Sequence, residues 1–572
     1  MKNIFKILSL VTVLSLVGVS SSCNDLPVDP PVDPCLDGGD DCPVPPEPYK
    51  GSIVEKIVFP EEAEVYSEAK LFANDIEIPL LKVMTNSSHV FVPPTAATPA
   101  PQRDENAYTI IRLKGLATFE IRTNYEININ TRVLPSSYGI KPSHDLNAKT
   151  IKFEIFNPGQ YTIEPNNDPT KTIHLFVDEY IEDQVLPVDI TDPNVIYFGP
   201  GYYSKANDSR INGNDRLQIR SNQTVYIDYG AQVNAILYAN NATNIKVLGG
   251  GVLSGAILSR LDQRVPINFE HCRNIEIDGI SIIDPAAWTL NLYFCEDALI
   301  NNIKIISSRA NGDGITLQSC QRIVSQNSFV RGFDDNLVVK NYTSPYGNRP
   351  EATKGRSDDI LFKNMLLWTD LAQSMEIGYE TVANDMTNIR FENITVLHAF
   401  HKAAISIHNG NDALIHDITF KDITIEVASM GLGDSDVSAF IEFTATYSQA
   451  FSAGPSREPL PIGNIEGVNV KNVLVKQQEG GNKGIVLRGQ KDDRALFDGN
   501  ISYVRDVTLE DIKVVNTPVL SNSRIIVKNE YVQNLVVRQS GDPVIGATIS
   551  LRYTIDELRA FGSEVKVITY GE

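Results

Sequence analysis

Six short segments of the chain share one pattern: INFEHC (267–272), LNLYFC (290–295), ITLQSC (315–320), LVVKNY (337–342), MEIGYE (375–380) and ISIHNG (405–410). In each, the first and third residues are apolar, from Ile267/Phe269 to Ile405/Ile407, and the second and fourth are mostly polar or charged. Such period-2 alternation marks a strand with one buried face. Its return at residues 267, 290, 315, 337, 375 and 405 predicts one such strand per turn of a solenoid. Between these segments lie further strand patterns, NIEIDGISI, ALINNIKII and NIRFENITV, and no helical stretch. Several short strands per coil predict an all-β chain built on a right-handed parallel β-helix. Cys272, Cys295 and Cys320 close three of the segments and are expected to stack inside the coil as core residues, not as metal ligands.

The pattern begins near SNQTVYIDYGAQV and persists through YVRDVTLEDIKVVN, so the solenoid is expected over 191–572. Residues 51–190 alternate in longer runs separated by turn signals, such as TIIRLKGLATFEIRTNYEININTRV, and predict an antiparallel β-sandwich. Ahead of it, MKNIFKILSLVTVLSLVGVSSSC has two Lys and an apolar run from Ile7 to Val19, too short to span a bilayer. Residues 1–22 therefore predict an export signal. Cys23, directly after small residues, resembles a bacterial lipobox cysteine. That resemblance implies lipidation and a lipoprotein at the outer-membrane surface or in the periplasm, with the lipid as its only membrane contact. Residues 23–50 are Pro- and Asp-rich and predict a tether, in which Cys35 and Cys42 are either bridged or free. A formal net charge of -21 excludes the cationic footprint that nucleic acids and anionic membranes select.

The same register places the acids. Asp313 lies two residues before the strand at Ile315, and Asp335 two before the strand at Leu337. Equivalent places in successive coils are about 4.8 Å apart, so these two carboxylates are expected to stack, with Asp334 projecting differently. Trp288 and Gln373 extend the column. The fourth strand positions add Tyr293, Gln318, Lys340 and His408, expected to face solvent, and the second add Asn291, Thr316 and Glu376. Lys340 is expected to bind substrate or to pair with Asp335. Aromatic faces, amides and charges around three acids suit a sugar-binding cleft.

Hydrolysis of a glycosidic bond needs an acid for the leaving oxygen and a base for water. Two stacked carboxylates can hold that water, and a third carboxyl, raised by its anionic neighbours, is the acid. No cofactor or metal is called for. These residues resemble the β-helical glycoside hydrolases of the polygalacturonase family (family 28) and the dextranase/isopullulanase family (family 49). Asn311-Gly312-Asp313 matches their Asn-x-Asp segment and Asp334-Asp335 their Asp pair. The resemblance implies inverting hydrolysis of a polysaccharide, with Asp334 as general acid and Asp313 and Asp335 holding the water. Family 28 has Gly-His-Gly where this chain has Ala372-Gln373-Ser374, and Arg-Ile-Lys where it has Ala404-Ile405-Ser406. Both losses weigh against a galacturonan, and the resemblance to family 49 implies a neutral α-glucan. A pectin hydrolase is the runner-up. A non-catalytic glycan-binding solenoid, and a β-helical lyase or epimerase, are the rivals from other classes.

Overall fold

The computed structural model describes residues 51–87, 103–182, 185–259, 264–341, 354–430, 438–447, 460–481, 483–514, 523–540, 549–551 and 566–570. The export signal, Cys23, Cys35 and Cys42 lie outside them. Residues 53–179 form two facing sheets, one of six strands and one of five among the described residues. Leu71, Phe119, Ile121, Ile151 and Leu175 fill the space between them. Most pairs are antiparallel as expected, but Ile173–Glu179 runs parallel to Asp104–Lys114. Between those strands the chain crosses the opposite sheet, and a crossover connection returns it in the same direction.

From Val195 onward every named coil-to-coil pairing is parallel, in a 12-stranded and a 19-stranded sheet among the described residues. The six segments pair in the predicted register: Ile267↔Leu290, Leu290↔Ile315, Ile315↔Leu337, Leu337↔Met375 and Met375↔Ile405. Their first and third residues are buried in one continuous apolar core. Cys272, Cys295 and Cys320 sit there as free thiols, and the Cys320 Sγ donates to Leu292 O at 3.3 Å. Burial pushes the Cys320 thiol up to about 12. Asparagines turn the corners within each coil. Asn302, Asn327, Asn364 and Asn393 all have φ between 49° and 55°, a region that Asn tolerates better than most residues. Their amides then bond from coil to coil, Asn364 to Asn327 at 2.9 Å and Asn393 to Asn364 at 2.8 Å.

The six-stranded sheet packs its outer face on the solenoid. Leu81, Val83, Tyr108, Ile110 and Phe176 meet Ile306, Phe329, Trp368 and Leu397, each such side chain contributing about 1.5–3 kcal/mol when fully buried. Within this apolar seam lies a buried ionic group. Arg331 faces Asp370 at 3.4 Å and lies over the Trp368 ring at 4.2 Å. It also donates to Thr172 Oγ1 at 2.8 Å, and Trp368 Nε1 donates to Asp370 at 2.9 Å. Arg331 belongs to the strand Phe329–Gly332, which runs directly into the turn carrying Asp334 and Asp335. The sandwich therefore braces that turn from behind.

Candidate active site

Two adjacent coils carry the acids. The turn between Lys304–Ile306 and Ile315–Gln318 carries Asp313, and the turn between Phe329–Gly332 and Leu337–Asn341 carries Asp334 and Asp335. Asn336 pins the second turn, donating through its side chain to Trp368 O at 2.9 Å and Val330 O at 3.2 Å. That fit requires Gly332, since a Cβ there would lie 2.0 Å from Asn336 Oδ1. Backbone bonds join the turns. Gly314 N donates to Asp335 O at 2.8 Å, and Asp334 N to Gly312 O at 3.3 Å.

The column of Trp288, Asp313, Asp335 and Gln373 follows from the strand register. Gln373 N donates to Asp335 Oδ1 at 3.2 Å, and Thr289 donates through its hydroxyl to Asp313 O at 2.7 Å. Asp313 is buried, whereas Asp334 and Asp335 are half-buried. Lys340 pairs with Asp313 at 2.8 Å, not with Asp335, and its ammonium lies 4.4 Å from the centre of the Trp288 ring. Lys340 stands directly above Gln318 in the strand pairing, and its long side chain reaches back toward the older coil. One face of Trp288 is thus occupied by a cation.

Burial pushes the Asp313 carboxyl up to about 7; Lys340 opposes this and the Asp334 charge adds to it. Burial, then the Asp334 and Asp313 charges, holds Asp335 well above the usual carboxylate range. Burial alone would lower Lys340, but Asp313, Glu380 and Asp335 together hold its ammonium above its ordinary range. Both stacked carboxyls, Asp313 and Asp335, are thus raised. Two like charges stacked in a low-dielectric turn are costly, so the group as a whole retains a proton to near neutrality.

The rest of the wall differs from its expected solvent exposure. Tyr293, Gln318, Lys340, Glu376 and His408 are all buried, because they cover one another. Gln318 donates to Asn291 at 2.8 Å and Asn291 to Asn268 at 2.6 Å, an amide ladder across three coils. Tyr293 packs edge-on against Phe294, centroids 4.7 Å apart. Glu376 and His408, read separately in the sequence, form one unit: His408 Nδ1 is 2.9 Å from Glu376 Oε1, and Ser406 Oγ also bonds that carboxylate. Glu442 Oε2 lies 3.8 Å from His408 Nε2, and the Tyr379 ring stacks on His408 at 4.1 Å. Burial would lower His408, but Glu376 and Glu442 lift it to about 10, so it is an imidazolium at neutral pH.

Sequence reasoning missed Tyr379, Glu380 and Glu442. Glu442 had a signal, since AFIEFTA continues the same alternation and Glu442 pairs with Ser406. Tyr379 and Glu380 had none, because a register shift after Val339 breaks the alternation there. The seven proposed sugar-contacting residues occupy one wall, on five neighbouring strands or the turns before them. The arrangement supplies a shared proton, two stacked carboxyls able to hold water, and a half-buried third carboxyl.

Residues 254–432, which contain all three acids, match Glycosyl hydrolases family 28. No curated protein matches the sequence. Among solved structures, the chain is similar to Dex49A from Penicillium minioluteum, with TM-score 0.58 and 12% identity over 90% of this chain and 96% of that one. A hyperthermoactive exopolygalacturonase from Thermotoga maritima aligns with TM-score 0.38 and 14% identity over 66% of this chain and 84% of that one. The first of these likenesses shows a shared fold along nearly the whole chain.

Proposed function

We propose that this chain, a β-helical glycoside hydrolase of the family 28 and family 49 type, cleaves a neutral α-glucan with inversion of the anomeric centre. The observation that carries the hydrolytic mechanism is the stacking of Asp313 and Asp335 beside Asp334. The stacked pair holds the attacking water, and Asp334 protonates the leaving oxygen. Gln373 N and Lys340 fix the two stacked carboxylates, and the half-buried Trp288 lines the sugar path.

Neutral substrate chemistry is supported by the charge of the wall. Its strands carry two cations, and both are engaged by carboxylates: Lys340 by Asp313, and His408 by Glu376 and Glu442. Neither offers a spare charge to a uronate. The match to family 28 at 254–432 favours the second reading, a pectin hydrolase. Reducing-sugar release from dextran, pullulan, polygalacturonan and rhamnogalacturonan separates them. Release from dextran or pullulan alone is expected; release from the pectins alone would replace the first reading with the second. We further propose export and lipidation at Cys23, supported by the two Lys, the apolar run and the small residues that precede it.

A further inference from the structure

The sandwich carries a feature that hydrolysis does not use. On the strand Thr150–Ile155, alternation turns Lys152 and Glu154 outward and Phe153 and Ile155 into the core. The next outward place belongs to Phe156, which is 50% exposed where a polar residue is the usual occupant. Beside it, the tight turn Ser136–Tyr138, closed by Gly139 at φ 68°, lifts Tyr138 to 44% exposure. Tyr138 packs edge-on against Tyr161 at 5.0 Å, and the Tyr161 hydroxyl donates to Asn157 O at 2.7 Å, so the rings are held in place. Tyr138, Phe156 and Tyr161 line an open groove of about 880 Å³, together with Thr118, Lys152 and Glu154 of the five-stranded sheet.

The groove continues past Tyr138. On its far side is a second hollow of about 410 Å³, shared by Ser137, Tyr138 and Pro158 and bordered by the asparagine ladder Asn302, Asn327, Asn364 and Asn393. This corner of the coil lies between two strands of the 19-stranded sheet. The acids lie at a different corner, where that sheet passes into the 12-stranded one. The two grooves are therefore separate from the cleft.

Exposed rings between hydroxyls and amides are the chemistry that recognises a sugar chain: ring faces take the C–H faces of pyranoses, and amides take hydroxyls. Lys152 is paired with Glu120 at 2.8 Å, and the other charged residues lining the groove, Lys141 and Glu154, are of opposite sign. We propose that this groove, centred on Tyr138 and Phe156, is a non-catalytic site that grips a second stretch of the neutral glycan that the enzyme cuts. It rests on the glycosidase reading for the identity of that glycan.

The test uses the full chain with Tyr138→Ala and Phe156→Ala combined, and Phe156→Ser alone as a milder variant at a surface ring. Retardation in native gels containing dextran, pullulan or polygalacturonan is compared with wild type, together with kcat and KM on the polymer and on a short oligosaccharide of it. Loss of two aromatic contacts is expected to weaken polymer binding about tenfold and raise polymer KM alike. Rates on the short oligosaccharide should be unchanged, and Phe156→Ser should give part of the loss. Equal retardation of wild type and both variants would overturn the proposal, as would an absence of retardation by any of the three glycans. An inactive wild type that still binds through Tyr138 and Phe156 would instead remove the hydrolase reading and leave the groove standing.

Discussion

Asp334→Asn is expected to lower kcat on the natural glycan about 10²- to 10⁴-fold, the usual contribution of a positioned general acid, with thermal stability retained. Asn is isosteric with Asp, the side chain is half-buried, and the bond from residue 334 N to Gly312 O does not involve the side chain. A role as acid has a signature that a role as base lacks. Aryl glycosides with acidic leaving groups need little protonation, so the variant's deficit should shrink on them. An equal deficit on good and poor leaving groups would assign the proton to another carboxyl. The pH profile follows from the same group. Asp313, pushed up to about 7, and Asp335, held well above the usual carboxylate range, carry protons in acid, whereas taking a proton from water needs the pair ionised. Wild-type kcat/KM should therefore fall as pH drops below about 7, and the apparent value belongs to the coupled set.

The second large effect lies behind the site. Asp370→Ala leaves the guanidinium of Arg331 buried without its carboxylate, and breaking a buried pair in this way costs about 3–5 kcal/mol. Both side chains are completely buried, and Asp370 also accepts from Trp368 Nε1. Denaturant unfolding of the single variants and of Arg331→Met with Asp370→Leu tests this. The double variant should recover most of the loss, because removing both charges removes the unpaired one. Loss of kcat is also expected in Asp370→Ala. Asp370 N donates to Gly332 O at 2.9 Å, and Arg331 leads into the turn of Asp334 and Asp335. An Asp370→Ala variant with wild-type unfolding would show that the ion pair contributes nothing to the seam.

The solenoid was legible because its signal is redundant: the same apolar pair recurs in six segments, and one register aligns all of them. That register also placed Asp313 over Asp335, since each stands two residues ahead of its strand. The wall was legible as a set of residues but not as a set of contacts. Period-2 alternation says which way a side chain points, not what lies beside it, so the pairing of Lys340 with Asp313 was not foreseen and Glu376 and His408 were not joined. Nor does alternation reveal that outward side chains bury one another, which is why the expected solvent exposure failed. The parallel pair in the sandwich was hidden for a related reason. A strand's own sequence carries its faces, while its neighbour's direction depends on the path of some sixty intervening residues, here from Lys114 to Ile173. The groove at Tyr138 and Phe156 had a faint signal, an aromatic at a polar position, which only the neighbouring turn makes meaningful.

The central claim is that two stacked carboxyls deliver water to one face of the sugar while Asp334 protonates the other. Proton NMR of the first product released by wild type, recorded before mutarotation, tests this directly. A new reducing end of inverted configuration, β from an α-linked glucan, is the predicted result. A first product that retains the α configuration, or an unsaturated product formed by elimination, would contradict the mechanism drawn from Asp313, Asp334 and Asp335.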